Sequence, residues 1–438
     1  SNSGRANAYV EAFINGVNWA DVVHQIERME KITKADIVKF ANEKLGENAY
    51  AVVYKREGQP GFKKIDKPEI TPIATNRDTS SAFLREIQQA VVKPIEPVFV
   101  DFKKDMSTAE LKNGLPLLYK KNETTDVFQL MYVFDMGSSN DATLGTAFAY
   151  LSYLGTSKKS PSDIKRAFFD IACSFNTSVT DERCFVSVSG LNENMPKAME
   201  LMEELLADAK PDENVLANLK ADLIKSRADA KLNQGRNFGA LRNYVMFGPD
   251  HIRATTLTND ALKALTSDTL LAKVRDLSTK QHSVLYYGPA AEADVLKHID
   301  QLHRMADKPA PIVKTPALPV QTPTSAVWLA EYDAKQVYYL QYSNRGEPFD
   351  VANDASVLLY NEYFGGSMNA IVFQEMREAR GLAYSSQAWI SEPNDKSKPY
   401  TYMAFVATQN DKMPQAIDAF MEIINNMPES EASFKIAK

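Results

Sequence analysis

Apolar residues recur along this chain in two rhythms, one of helical period and one of short strand-like runs. The set Met195, Ala198, Met199, Met202, Leu205 and Leu206 keeps the spacing i, i+3, i+4, i+7, i+10, i+11, one continuous face of an amphipathic helix. Met413, Ala416, Ile417, Phe420, Ile423 and Ile424 repeat that spacing. Pro196 and Pro414 fall in the first turn of each predicted helix, where a missing N–H costs nothing. Runs rich in β-branched and aromatic residues predict strands over 127–134, 184–188, 337–342 and 402–406.

These elements come in matching order. Asn192 to Ala198 reads like Asn410 to Ala416, and Tyr153-Leu154-Gly155-Thr156 like Tyr363-Phe364-Gly365-Gly366. Near the start, a helix opening at Thr33 runs towards a strand predicted over 50–54, as one opening at Thr266 runs towards a strand over 283–287. Such self-similarity marks an internal repeat. Residues 1–58 then form the end of one copy and 99–305 a whole copy. Residues 325–438 form the first part of a third copy that stops after its amphipathic helix. Within a copy the order is strand, strand, helix, strand pair, several helices and a last strand. This predicts an α+β chain of tandem homologous domains, each a mixed or antiparallel sheet with helices on one face. Proline clusters mark the connectors, 59–98 and the Pro-rich 306–324, because proline fixes φ and removes a donor.

Composition narrows the function classes. Of 438 residues, 44% are hydrophobic and 24% charged, enough apolar material for sizeable cores. A net charge of −6 without a basic stripe speaks against a nucleic-acid partner. No apolar run approaches the roughly 18 residues of a membrane span. Cys173 and Cys184 flank an apparent hairpin and read as two buried free thiols. The chain opens on Ser1-Asn2, which reads as a segment cut from a longer polypeptide. No address is legible there; bacterial periplasm or cell envelope and cytoplasm all stay open.

Five histidines make metal chemistry easy to check. His24 and Glu27 suit a surface pair on a helix, and Arg28 stands where a second imidazole would complete a zinc motif. His298 and His303, five apart on a predicted helix, point about 140° away from each other and read as solvated. No Cys-x-x-Cys, serine elbow or phosphate loop occurs. One segment stands out, 364–385, in which Gly365-Gly366 open a helix, Gly381 ends it and Tyr384 starts a strand. On spacing alone, Arg377 and Arg380 are last-turn cations complementing the helix dipole, and Tyr384 is a half-buried strand aromatic.

The run Phe373-x-x-Met376-Arg377-x-x-x-Gly381-Leu382-x-Tyr384 resembles the substrate-binding motif in the C-terminal half of pitrilysin/insulinase-family zinc metallopeptidases. The repeat agrees, since that family consists of tandem α/β domains of LuxS/mitochondrial-processing-peptidase-like fold, two halves closing over a peptide. The resemblance implies that 1–58 ends a preceding peptidase-like domain, and that 99–305 and 325–438 are inactive ones. It also implies that Arg377 and Tyr384 donate hydrogen bonds to a peptide substrate. Carried across, the family's inverted zinc motif falls on Thr146, Ala149 and Tyr150, and its third ligand near Lys225 and Ser226. None of these is a zinc ligand of the family's kind. The implied chain is non-catalytic, with no cofactor of its own and zinc in the parent enzyme. Its implied partners are a peptide substrate and a zinc-bearing N-terminal half or separate active subunit. An inactive partner subunit and a purely structural protein of the same fold remain alternatives. The truncated third copy would expose apolar surface, from which pairing into a homodimer is a further expectation.

Overall fold

The computed structural model describes residues 2–46, 50–56, 58, 61, 81–91, 93, 95–393 and 395–438. It divides into two compact units, Ser1–Ile95 and Glu96–Lys438.

The first unit is helical: α1 (Asn2–Ile14), α2 (Trp19–Val23), α3 (Gln25–Glu30), α4 (Lys34–Lys44) and α5 (Ala82–Gln89). Thr33 caps α4 through a reciprocal capping box with Asp36, as its place before the helix predicts. The strand expected over 50–54 is not formed. Tyr50, Val52, Val53 and Tyr54 lie exposed, and no described residue offers them a ladder, without which a strand has nowhere to place its backbone groups. Much of the expected 59–98 connector, 62–80, lies outside the described residues, and α5 occupies part of the rest.

The second unit holds two sheets. The first contains β1 (Ser107–Glu110), β2 (Pro116–Lys121), β3 (Val127–Phe134), β4 (Cys173–Val179), β5 (Cys184–Leu191) and β6 (Ser283–Gly288), in the order β1-β2-β6-β3-β5-β4. Only β2 and β6 run parallel, so the sheet is mixed. Alternation decides its faces: Phe128, Leu130, Tyr132 and Phe134 of β3 and Val186 and Val188 of β5 all point into the core. Helices α6 (Leu144–Leu151), α7 (Pro161–Asp170), α8 (Met195–Asp208), α9 (Glu213–Ala230), α10 (Gln234–Thr255), α11 (Asn259–Ala264), α12 (Ser267–Asp276) and α13 (Glu292–Leu302) complete this part. The α8 stripe of Met195, Ala198, Met199, Met202 and Leu205 is buried, as its spacing predicts. Cys173 and Cys184 stand at opposite ends of the β4–β5 hairpin as buried free thiols, and burial pushes the Cys184 thiol up to about 12.

The second sheet is antiparallel: β7 (Gln336–Ser343), β8 (Ser385–Ser391) and β9 (Thr401–Gln409), in the order β7-β9-β8. Helices α14 (Asp354–Phe364), α15 (Ile371–Phe373), α16 (Met413–Asn425) and α17 (Glu431–Ala437) accompany it. Pairing of β9 between β7 and β8 reproduces that of β5 between β3 and β4, and α16 follows β9 as α8 follows β5. Each sheet has its own buried cluster. The chain is therefore α+β. Residues 306–324 carry no regular element but are held along their length. The Val320 N–H donates to the Met246 carbonyl (2.7 Å) and the Ala317 N–H to Glu182 (2.7 Å).

Candidate functional site

The segment 364–385 begins where α14 ends. Gly365 passes so close to β8 that a Cβ would sit 2.3 Å from the Ala388 carbonyl oxygen, which no side chain tolerates. After α15 the backbone widens into a π-helix over Gln374–Ala379 instead of the ordinary α-helix expected. The Arg380 N–H reaches back to the Glu375 carbonyl (3.2 Å). Single π turns of this kind occur often at functional sites. Gly381, at φ +58°, ends the turn in the left-handed region that glycine enters without penalty. Met376 is fully buried and anchors the turn.

Arg377 and Tyr384 come together on the surface. The Arg377 guanidinium lies 4.9 Å from the Phe373 ring centroid and 5.3 Å from that of Tyr384, so two aromatic faces hold it by cation–π attraction. The Tyr384 N–H extends the β8–β9 ladder by donating to the Ala407 carbonyl (3.1 Å). Its side chain is 77% exposed, against the half-burial expected, because the residue precedes β8 at the sheet margin. Arg380 is a different case. It pairs with Glu422 at 2.8 Å, and that hydrogen bond holds the Glu422 carboxyl below its ordinary range. Phe373 precedes Arg377 by four residues, the helical spacing that sets two side chains on one face, and it serves as the platform for the guanidinium. A fixed guanidinium beside an exposed phenol presents directional donors to carbonyl oxygens.

The positions aligned with a zinc motif lie on α6 and α9 and do not fit the metal. Tyr150 is fully buried. Its hydroxyl accepts from the Asp212 N–H (2.7 Å) and meets the Asp212 carbonyl (2.9 Å) and the Ser267 hydroxyl (2.7 Å). Thr146 and Ala149 supply no ligand of that kind. Lys225 is exposed and paired with Asp229 at 2.7 Å, and Ser226 is exposed. Among the described residues no three His, Cys, Asp or Glu side chains gather as a metal site would need.

Two histidines prove to be internal. His303 was expected on the polar surface of a helix, but α13 ends at Leu302 and His303 adopts extended backbone, φ −71° and ψ 118°, so helical geometry does not set its direction. Its side chain is 7% exposed. His303 Nδ1 meets Glu203 Oε1 at 2.6 Å and His303 Nε2 meets His282 Nε2 at 3.0 Å. The Tyr132 hydroxyl also donates to Glu203 Oε1 (2.9 Å), and the Arg304 N–H donates to Oε2 (3.2 Å). Burial, then the neighbouring His303, push His282 down to about 3. The available signal was Glu203 itself, a carboxylate at the flank of the α8 apolar stripe, where an unpaired charge would be costly. His24 and Glu27 form the expected exposed pair (3.0 Å).

Comparison with known proteins places these features. Residues 280–438 match the family described as the peptidase M16 inactive domain. An uncharacterized zinc protease of Streptomyces coelicolor is 26% identical over 271 residues, covering 58% of this chain and 58% of that protein. The fold is that of a peptidase M16 inactive domain from Pseudomonas fluorescens (TM-score 0.62, 19% identity), covering 76% of this chain and 82% of that one. It is also that of the periplasmic protease PqqL from Escherichia coli (TM-score 0.61, 16% identity), covering 94% of this chain and 44% of that one. The chain spans about half the length of the first curated relatives it matches, 42% and 58%.

Proposed function

We propose, from the match of residues 280–438 to the peptidase M16 inactive domain, that this chain is the non-catalytic part of a zinc-dependent endopeptidase and supplies Arg377 and Tyr384 as hydrogen-bond donors to a bound peptide. The zinc residues lie outside it, in an N-terminal half or a separate active subunit, and the two parts enclose the peptide in a chamber. One observation carries the reading: the half-buried Arg377, on a π turn that Met376 anchors from below, lies against the exposed ring of Tyr384 just before β8. The length supports it, since the chain corresponds to 44% of a whole protease of the same fold.

The chemistry asked of the pair is modest. A guanidinium stacked on Phe373 has lost much of its rotational freedom, so little more is surrendered when it grips a carbonyl. The phenol adds one donor with a fixed direction. Such donors speed peptide hydrolysis only to the extent that they bind the reacting amide more tightly as charge develops on its oxygen. In the zinc-bearing assembly, Arg377→Ala should lower kcat/KM for peptide cleavage by about 10²-fold, the order found for one lost transition-state donor. Arg377→Lys should recover part of that. An assembly carrying Arg377→Ala that cleaves peptides at the unmodified rate would exclude the role.

A further inference from the structure

Between β3, α8, α12 and the segment after α13 lies a cavity of about 190 Å³. Its walls include Phe134, Leu206, Val274 and Met305, and Arg275 and Arg304 line it as well. A dry cavity of about 150 Å³ is enough for one benzene ring, so the space suits a single large apolar side chain. We propose that this cavity is a binding site for an apolar carboxylate, its hydrocarbon part against the apolar walls and its carboxylate held by Arg275 and Arg304. The proposal goes beyond the role of Arg377 and Tyr384 and does not depend on it.

The sign of the ligand's charge follows from counting protons. His282 Nδ1 faces the Lys280 carbonyl (3.0 Å), an acceptor only, so this nitrogen carries the hydrogen. In the neutral ring Nε2 is then an acceptor, and His303 Nε2 must donate to it across 3.0 Å. One proton remains between His303 Nδ1 and Glu203 Oε1. Whether it resides on nitrogen or oxygen, the pair has no net charge. Tyr132 takes a further lone pair of Glu203 on Oε1 and the Arg304 N–H one on Oε2. The polar wall thus carries no net charge, which leaves the guanidiniums to set the field. Neither Arg275 nor Arg304 forms a side-chain ion pair among the described residues. Asp208, which Arg304 influences from a distance, is hydrogen-bonded to Ser157. Guanidinium groups that line a cavity bind anions with directional, charge-assisted hydrogen bonds. An apolar amine would meet two like charges.

An apolar carboxylate has two sources, a small organic acid or the C-terminal residue of a peptide. Calorimetric titration of the full chain with 3-phenylpropionate, 3-phenylpropan-1-ol, and a hexapeptide ending in phenylalanine as free acid or amide separates them. The acid should bind at least about tenfold more tightly than the alcohol. The double variant Arg275→Ala/Arg304→Ala, both exposed positions, should erase that difference. Ala207→Phe, at the cavity wall, should abolish binding of both. Binding of the free-acid peptide but not its amide assigns the peptide source; binding of phenylpropionate alone assigns the organic acid. Equal affinity for acid and alcohol, wild-type affinity in the double variant, or no heat with any probe would overturn the proposal.

Discussion

Tyr132, Glu203, His282 and His303 show how much a few polar side chains can demand of a core. Tyr132 is fully buried, and burial, then Glu203, push its hydroxyl well above the ordinary tyrosine range, so it serves as a donor throughout the physiological range. His282 sets a pH dependence whose sign is fixed. Its ordinary value of 6.5 falls to about 3 in the folded chain, so below about pH 6.5 the unfolded chain takes up a proton that the folded one refuses. The stability this neutral imidazole contributes is complete above that pH and is lost as pH falls from 6.5 towards 3, with a slope of up to about 1.4 kcal/mol per pH unit. Urea unfolding between pH 7 and 4 should show this slope, and His282→Gln should flatten it. A variant as pH-dependent as the parent would refute the assignment. Of this network only Glu203, beside the α8 stripe, left a signal in the sequence. His282, His303 and Glu203 are far apart in sequence, and only the end of α13 at Leu302 turns His303 inward.

Elements were legible where one physical rule dominated. The apolar stripe of α8 and the alternation in β3 each have a single interpretation, and their bounds follow from it. The 364–385 segment was legible in its residues but not in its backbone. A π turn depends on which carbonyl each N–H reaches, and the spacing of Met376, Arg377 and Gly381 is equally compatible with an α-helical turn. The 50–54 run failed for the complementary reason: strand propensity describes fitness for a sheet and cannot supply the neighbour. Glycine at 365 belongs to the same scale. Its Cα hydrogen faces the Ala388 backbone, and both the carbonyl oxygen (2.3 Å) and the nitrogen (2.5 Å) would collide with a Cβ. Gly365→Val should therefore destabilise the second sheet by about 1–3 kcal/mol, as overpacking against a backbone does. Thermal unfolding followed by tryptophan emission, with Trp389 in β8 as a reporter, would read this. An unchanged midpoint would show that α14 and β8 can move apart freely.

At the scale of the whole molecule, one plan recurs within the second unit. Two sheets share the arrangement of three strands and a following amphipathic helix. Where the family resemblance would put a metal, Tyr150 fills the space with a hydrogen-bonded phenol. Metal analysis of the purified chain should accordingly find no stoichiometric zinc; one zinc per chain would contradict this account. Within the second unit, Glu182 in the β4–β5 turn joins the two sheets' surroundings. It accepts from Lys398 at 2.7 Å and from the Ala317 N–H, so the loop before β9 is tied to the first sheet's hairpin. On such a scaffold Arg377 and Tyr384 are fixed features of the surface, and the proposal that they grip a peptide stands or falls on one oxygen atom. Tyr384→Phe removes only the hydroxyl and leaves the ring beside Arg377 intact, so the fold should be unaffected. In the zinc-bearing assembly, kcat/KM for peptide cleavage should then drop by at least about tenfold at unchanged melting temperature. A Tyr384→Phe assembly as active as the parent would contradict it.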